Sequence, residues 1–130
     1  MDNGQWTIRN ETMEENVIAS KSKRFAVRIV RLYQYLDNEK REQVLSKQLL
    51  RSGTSIGANV HEALQGQSKA DFTAKMSIAL KEAVETEYWL ELLRETDYIS
   101  AAEYESIRKD CGEVARLLTS IVKTSREKRT

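Results

Sequence analysis

Cys111 and His61 are the only residues of this chain that could act as a conventional nucleophile and base. A catalytic thiol needs a nearby base and an electropositive setting, because only the thiolate attacks. The periodicity around Cys111 places it on the apolar side of a helix, where cysteine usually packs as a small hydrophobic residue. His61 falls near the polar edge of another helix. Because the chain also lacks a phosphate-binding loop, GxSxG, HExxH and the dinucleotide fingerprint, we expect no enzyme and no catalytic residue.

Glu82, Glu85 and Glu87 raise the alternative of a carboxylate metal site inside a helical bundle. That chemistry requires a Glu-x-x-His sequence on each of two helices and a further Glu from each of the other two. The chain has one histidine and no Glu-x-x-His. We therefore expect no metal and no cofactor, and we expect these glutamates to pair with Lys or Arg.

Four basic residues, Lys21, Arg24, Arg28 and Arg31, are spaced three, four and three apart, so they share one helix face beside the apolar stripe. Such a face can follow the phosphates of a nucleic acid. It can equally be a solvated face whose long side chains cover apolar surface. The formal net charge is +1, so the whole molecule does not point to nucleic acid. Any RNA binding should therefore depend on this face and be sensitive to salt.

A run of small residues marks the segment at 51–63, RSGTSIGANVHEA. Glycine inside a helix costs roughly 0.5–1 kcal/mol relative to alanine, so its presence indicates that bulk is excluded there. Ser52, Gly53 and Gly57 are expected to admit a close neighbour. That neighbour is either another helix of the same chain or a second subunit.

Three polar residues, Arg51, Asn59 and Glu62, flank this small-residue segment. We expect them to form a network between helices with Lys75, Lys81, Glu82 or Glu85, which would fix the helix register if every member is satisfied. A ligand site is the alternative, but no residue here specifies a ligand.

Length and composition indicate a single helical domain. The 130 residues include no proline and one cysteine, and they lack an apolar run long enough to span a bilayer. The polar start of the chain has no signal-peptide core, and a lone cysteine favours a reducing compartment. We expect a cytoplasmic protein with a flexible segment at 1–11, a bundle at 12–123 and a charged tail at 124–130.

Four helices are predicted, and short breaks between them imply an all-α, antiparallel, up-and-down four-helix bundle. The first is capped by Thr12 and ends near Leu36, and the second runs from about Lys40 to Leu64. Gly66 is expected to end the second helix in the left-handed conformation. The third begins at Ser68 and ends near Glu95, and the fourth begins at Ser100 and fades into the tail.

The third helix carries more apolar surface than one buried stripe needs, with Trp89 and Leu92 on one flank and Leu80, Val84 and Tyr88 on the other. Either this helix is the central one of the bundle, or it faces a second subunit. The second possibility predicts a homo-oligomer.

The sequence resembles the four-helix-bundle proteins encoded in intervening sequences of bacterial 23S ribosomal RNA genes, which are related to the accessory variability determinant of diversity-generating retroelements. The resembling residues are QLLRSG at 48–53, SIGANV at 55–60, EA at 62–63, DF at 71–72, Lys75, IA at 78–79, KEA at 81–83, ET at 85–86 and WL at 89–90.

This resemblance covers roughly residues 16–122 and implies a bundle that assembles as a homopentamer. For the retroelement branch it also implies a reverse-transcriptase partner and contact with nucleic acid. Members of that branch are usually strongly basic, so the near-neutral charge favours the ribosomal branch. The sequence thus predicts a non-enzymatic oligomeric bundle that binds RNA or an RNA-handling partner through Lys21, Arg24, Arg28 and Arg31. A purely structural or protein-interaction module with no nucleic-acid role is the alternative.

Overall fold

The computed structural model describes residues 12–129, and the side chains of residues 12–127. Within that range the chain forms four helices: α1 Met13–Asn38, α2 Leu45–Leu64, α3 Lys69–Glu95 and α4 Ala101–Arg129. α2 packs against α1 and α3, whereas α4 packs against α3 and, less extensively, against α1. Helices joined by such short connections are antiparallel neighbours. The predicted all-α, up-and-down four-helix bundle is confirmed, and α1 and α3 lie diagonally opposite each other in it.

The apolar stripes of the four helices meet in one core. Burial of these side chains away from water is the main favourable contribution to folding of a bundle without disulfides or metals. The largest completely buried side chains are Ile18, Ile29, Leu36, Leu49, Ile56, Met76, Leu90, Leu93 and Leu118.

Three of the predicted helix starts are present as expected. The Thr12 hydroxyl accepts the Glu15 N–H at 3.0 Å, and the Ser68 hydroxyl accepts the Asp71 N–H at 3.1 Å. At Ser100 the capping is reciprocal, because the backbone N–H of Ser100 donates to Glu103 at 2.9 Å while the Glu103 N–H donates to Ser100 at 3.1 Å. Each bond satisfies a backbone donor that the first turn of a helix leaves unpaired.

The start of the second helix was predicted wrongly, because α2 begins at Leu45 and not near Lys40. Arg41 adopts a positive φ of 58°, and the chain turns there. The buried carboxylate of Glu42 then caps the helix by accepting backbone N–H groups of Val44, Leu45 and Ser46 at 3.2, 3.0 and 2.7 Å. Sequence patterns of short capping residues do not include a glutamate in this role.

The expectation for Gly66 was also wrong, because no described glycine has a positive φ. The end of α2 instead tightens, with the Gly66 N–H donating to the Ala63 carbonyl at 3.0 Å. A β-carbon on Gly66 would be 2.8 Å from a carboxylate oxygen of Asp71. The backbone conformation of Gly66 does not require glycine, and the nearest backbone atom, the Ala63 carbonyl oxygen at 3.0 Å, makes the space for a side chain tight.

α4 does not fade before the charged residues but continues through Arg129. Ser125 is buried and its hydroxyl is hydrogen-bonded to the hydroxyl of Thr73 on α3. On the other side of α4, Ser120 donates to the Glu14 carboxylate of α1 at 2.9 Å. These contacts place the end of α4 beside the start of α1. The segment expected to be flexible, residues 1–11, lies outside the described residues.

Candidate interaction surfaces

The predicted basic face of α1 lies along its seam with α4, where two of its four residues are already paired. Lys21 donates to Glu113 at 2.8 Å, and Arg28 donates to Asp110 and to Ser106, both at 2.7 Å. The hydrogen bond and the charge of Lys21 lower the pKa of the Glu113 carboxyl. These ion pairs hold α1 and α4 together, so the positive charges of Lys21 and Arg28 are largely compensated within the chain.

Arg24 and Arg31 are the remaining members of the basic face. Both are exposed, and neither makes a hydrogen bond or ion pair with any residue that the structure describes. Arg24 lines a cleft of about 200 Å³ between α1 and α4 that also contains Asp110 and Glu113. Since two carboxylates share this cleft, it does not favour an anion. A phosphate would instead meet the outward side of Arg24 and Arg31.

The small residues of α2 pack against the chain's own helices. A β-carbon on Gly53 would be 2.7 Å from the Cγ2 atom of Ile29, and one on Gly57 would be 3.3 Å from the backbone oxygen of Ser22. Ser52 is completely buried, and its hydroxyl oxygen lies 2.9 Å from that of Thr86 on α3. α2 is therefore held close to α1 through its glycines and to α3 through a buried hydroxyl pair.

An open groove of about 400 Å³ runs along the outside of the close contact between α1 and α2. Its floor consists mostly of small and apolar residues, and Lys23 and His61 also line it. The lining residues are Ala19, Ser22, Lys23, Ala26, Thr54, Gly57, Ala58, Val60, His61 and Leu64. The small side chains that allow α1 and α2 to approach thus also leave a depression on the surface.

The polar network between α2 and α3 centres on Arg51. Its guanidinium pairs with Glu82 at 3.3 Å and with Glu85, and the indole N–H of Trp89 donates to the same Glu85 carboxylate at 2.9 Å. Trp89 is half-buried. Trp89, one of two flanking residues expected to serve either helix packing or a subunit interface, therefore belongs to the network within the chain. The bond from the indole was not predicted from the sequence.

Glu62 and Asn59 differ in how they relate to α3. Glu62 forms an ion pair with Lys75 at 2.9 Å, and this pairing raises the pKa of the lysine. Asn59 was expected to join the network but does not, since its amide donates to the Ser55 carbonyl of its own helix at 2.8 Å. A helical turn brings that carbonyl within reach of the short Asn side chain before any group on α3.

Within the part of the chain that the structure describes, the thiol of Cys111 is hydrogen-bonded to the backbone and not to a basic side chain. It is buried, and its sulfur lies 3.5 Å from the Ala83 carbonyl oxygen of α3. Burial, together with the charge of Glu87, raises the pKa of the Cys111 thiol to about 12. His61 is exposed on the groove between α1 and α2. Among the described residues, no group of three His, Cys, Asp or Glu side chains could hold a metal ion.

Two outward surfaces carry exposed apolar side chains. The α3 outer face consists of Ile78, Lys81, Val84, Tyr88, Glu91 and Glu95, all of which are exposed. The α1 outer face consists of Lys23, Val27, Val30 and Arg31, which are exposed as well. Val84 is 60% exposed, Tyr88 54% and Val27 51%. Leu92, the other residue expected to serve either helix packing or a subunit interface, is half-buried at the edge of the α3 outer face.

The wide apolar surface of α3 was predicted from the sequence, but the α1 outer face was not. Val27 and Val30 fall outside the apolar stripe, so the helical period alone assigned them to solvent. Two exposed valines close together on one helix were the available signal. Contiguous apolar surface of this kind is a feature of interaction sites on soluble proteins.

Comparison with known proteins identifies the family of the chain and a solved structure that resembles it. The family model described as 23S rRNA-intervening sequence protein matches residues 14–120. A crystal structure at 1.70 Å resolution of a protein with unknown function from the S23 ribosomal protein family, from Bacteroides thetaiotaomicron VPI-5482, is 62% identical. The match covers 85% of this chain and 99% of that chain, with a TM-score of 0.84. No curated protein matches the chain. No described helix is long and apolar enough to cross a membrane.

Proposed function

The chain belongs to the 23S rRNA-intervening sequence protein family, and on that premise we propose that it is a non-enzymatic, homo-oligomeric binding protein. The observation that carries the proposal is the pair of apolar outer faces on α1 and α3. A bundle of this size buries its core with one stripe from each helix. Val27, Val30, Val84 and Tyr88 are additional to that core and remain exposed.

A binding role is favoured over catalysis by the chemistry of the side chains. The only thiol is buried with a raised pKa, and its hydrogen bond goes to a backbone carbonyl and not to a base. The charged residues of the interior seams are paired with each other, which is the arrangement of a structural network. A reducing location such as the cytoplasm agrees with a single buried cysteine.

Oligomerisation is tested by measuring the mass of the purified protein, using light scattering coupled to size exclusion or native mass spectrometry. The monomer mass is 15.0 kDa, and a homopentamer, which is the stoichiometry implied by the family resemblance, would have five times that mass. A single species at the monomer mass, at micromolar concentration and low salt, would refute the proposal.

The second candidate function is contact with RNA, or with a partner that handles RNA, through Arg24 and Arg31. Both are exposed and unpaired within the described residues, and they alternate along α1 with the paired Lys21 and Arg28. Repetition of this surface around an oligomer would let weak sites act together. Because Lys21 and Arg28 are compensated, the expected affinity depends on Arg24 and Arg31 and not on four basic residues, and it depends on Arg24 alone wherever a neighbouring copy covers Arg31.

An alternative to the RNA role is a protein-interaction module that contacts no nucleic acid. Fluorescence anisotropy with a labelled single-stranded RNA at low and moderate salt separates the two. Binding through phosphates must weaken steeply as salt rises. Absence of binding at low salt would favour the protein-interaction module.

A further inference from the structure

The α1 outer face and the α3 outer face lie at the same level along the bundle, on opposite sides of it. Two adjacent residues of α2 fix this level. Gly53 contacts Ile29 of α1, whereas Ser52 pairs with Thr86 of α3. Ile29 and Thr86 are therefore level with each other. Because α1 and α3 are diagonal in the bundle, their outward sides point away from each other.

The exposed apolar side chains of both faces lie close to Ile29 and Thr86 along the helix axes. Val27 and Val30 lie within one turn of Ile29, and Val84 and Tyr88 lie within one turn of Thr86. α1 and α3 also run in the same direction, since they are alternate helices of an up-and-down bundle. A neighbouring copy can therefore bring its α3 outer face onto the α1 outer face without moving along the helix axis.

The groove between α1 and α2 extends the fit between the two faces toward the start of α1. The groove contains Ser22, five residues before Val27, and Ile78 precedes Val84 by six residues. At 1.5 Å per residue these offsets are about 8 and 9 Å in the same direction. When the valines of the two copies meet, Ile78 of one copy lies over the groove of the other. Ile78 is 41% exposed and so remains without a full set of neighbours in a single copy.

The two faces carry net charges of opposite sign. The α1 outer face carries Lys23 and Arg31 and no carboxylate, whereas the α3 outer face carries Glu91 and Glu95. Arg31 lies two residues beyond Ile29, and Glu91 lies five residues beyond Thr86, so the two are separated by less than one turn along the axis. Lys81 of the α3 outer face is basic and lies five residues before Thr86, almost level with Lys23, which lies six residues before Ile29. This like-charged pair opposes the contact, and the two carboxylates of the α3 outer face supply the attraction. Opposite charges favour this pairing of faces over a pairing of either face with itself.

We infer that the α3 outer face of one copy docks on the α1 outer face and adjoining groove of the next copy. This inference rests on the proposed oligomerisation and specifies which surfaces form the contact. The contact is head-to-tail, because each copy contributes two different surfaces. Head-to-tail contacts produce either closed rings or open filaments. Since both faces lie at one level, successive copies add side by side without a shift along the helix axes.

The test uses two variants that each block one face. The first carries Val27→Asp and Val30→Asp, and the second carries Val84→Asp and Tyr88→Asp. Since all four side chains are exposed, the substitutions leave the core unchanged, and circular dichroism and thermal unfolding verify this for each variant. Val44→Asp is the matched control, because Val44 is 74% exposed at the start of α2 and lies outside both faces.

Each blocked variant should have the mass of a monomer, while the control should keep the mass of the wild-type protein. Mixing the two blocked variants should give a heterodimer with one copy of each and nothing larger, because one intact α3 outer face meets one intact α1 outer face. Neither variant alone should give a dimer. This outcome is specific to a head-to-tail contact.

Other outcomes overturn the inference while leaving the proposed function intact. If wild-type protein is oligomeric and both variants keep its mass, other surfaces form the interface. If one variant dimerises alone and no heterodimer appears on mixing, the contact joins one face to itself. If the wild-type protein is monomeric, the proposed oligomerisation itself fails.

Discussion

Gly53 and Ile29 approach so closely that a β-carbon on the glycine would lie 2.7 Å from the Cγ2 atom of the isoleucine. Ile29 is completely buried and β-branched, so its side chain has little freedom to move aside. The contact sets the distance between α1 and α2. It also explains why a glycine is kept in a helix interior, where it is unfavourable.

The first prediction concerns this contact. Gly53→Ala gains about 1 kcal/mol of helix propensity but introduces an overpacked methyl group, which typically costs about 1–3 kcal/mol. Because the neighbour is rigid, we expect a net loss of about 1 kcal/mol in the free energy of unfolding. Chemical denaturation followed by circular dichroism measures it.

Gly112 supplies the matched control for that prediction. It lies in α4, and a β-carbon there would meet only a terminal nitrogen of the exposed Arg116, at 3.3 Å. Gly112→Ala should therefore raise the free energy of unfolding by up to about 1 kcal/mol. If both glycines respond in the same direction, close packing is not what distinguishes them.

The second prediction concerns the cap formed by Glu42. Burial raises the pKa of this carboxyl, but the hydrogen bonds from Leu45, Ser46 and Val44 outweigh it, so the pKa lies below the ordinary value of 4.5. A carboxyl with a lowered pKa in the folded state stabilises the fold at neutral pH and loses that contribution as the pH falls through the lowered value. Glu42→Gln should reduce the free energy of unfolding by roughly 1–2 kcal/mol at pH 7.

The difference between wild-type protein and the Glu42→Gln variant should shrink when unfolding is measured below pH 4.5. Glu39→Gln, at an exposed glutamate of the same connection, should change stability little at either pH. A difference that stayed constant from pH 7 to pH 3 would show that the variant acts through packing and not through the carboxylate.

The third prediction concerns the reactivity of Cys111. With a thiol pKa of about 12, the thiolate fraction at pH 8 is on the order of one in ten thousand. The folded protein should therefore resist a thiol reagent such as dithionitrobenzoate, with labelling limited by the rate of unfolding. Urea should release a fast reaction of one thiol per chain. Labelling within seconds in native buffer would mean that the thiol is accessible and activated.

The fourth prediction concerns RNA. Arg24→Glu should weaken binding of single-stranded RNA and lower the dependence of affinity on salt, by about one unit of slope for each phosphate that the protein no longer neutralises. Lys47→Glu is the control, since it makes the same change of net charge at an exposed position on α2. Equal effects of the two variants, at unchanged oligomer mass, would point to net charge alone and against a site at Arg24.

The bundle and the family could be predicted from the sequence because both depend on local patterns. The apolar periodicity indicated the stripes that meet around Ile29, Ile56 and Leu90, and the motif at 48–63 led to the family that the family model confirms. The starts at Ser68 and Ser100 followed from short residues with a direct bond to the backbone. Such signals lie within a few residues of one another.

What the sequence could not provide depends on distances between helices. The Glu42 cap depends on a turn at Arg41 with positive φ, which the residue preferences of the sequence do not predict. The pairing of Lys21 with Glu113 joins residues far apart in the chain, and the helical wheel shows which face they occupy but not what lies opposite. Asn59 was wrongly assigned for a different reason. The helical wheel predicted a bond to another helix, but the Asn59 amide is satisfied by a hydrogen bond within its own helix.

The hydrogen bond from Ser120 to Glu14 has a practical consequence for anyone who works with this bundle. It places the beginning of α1 and the last turns of α4 at one pole of the molecule. A fluorescent label attached at Thr12 or Thr124, which are both exposed at that pole, would therefore be clear of the exposed valines. The closeness of the start of α1 to the last turns of α4 also favours circular permutation, in which a linker joins these two helices and new termini open at the connection between α2 and α3.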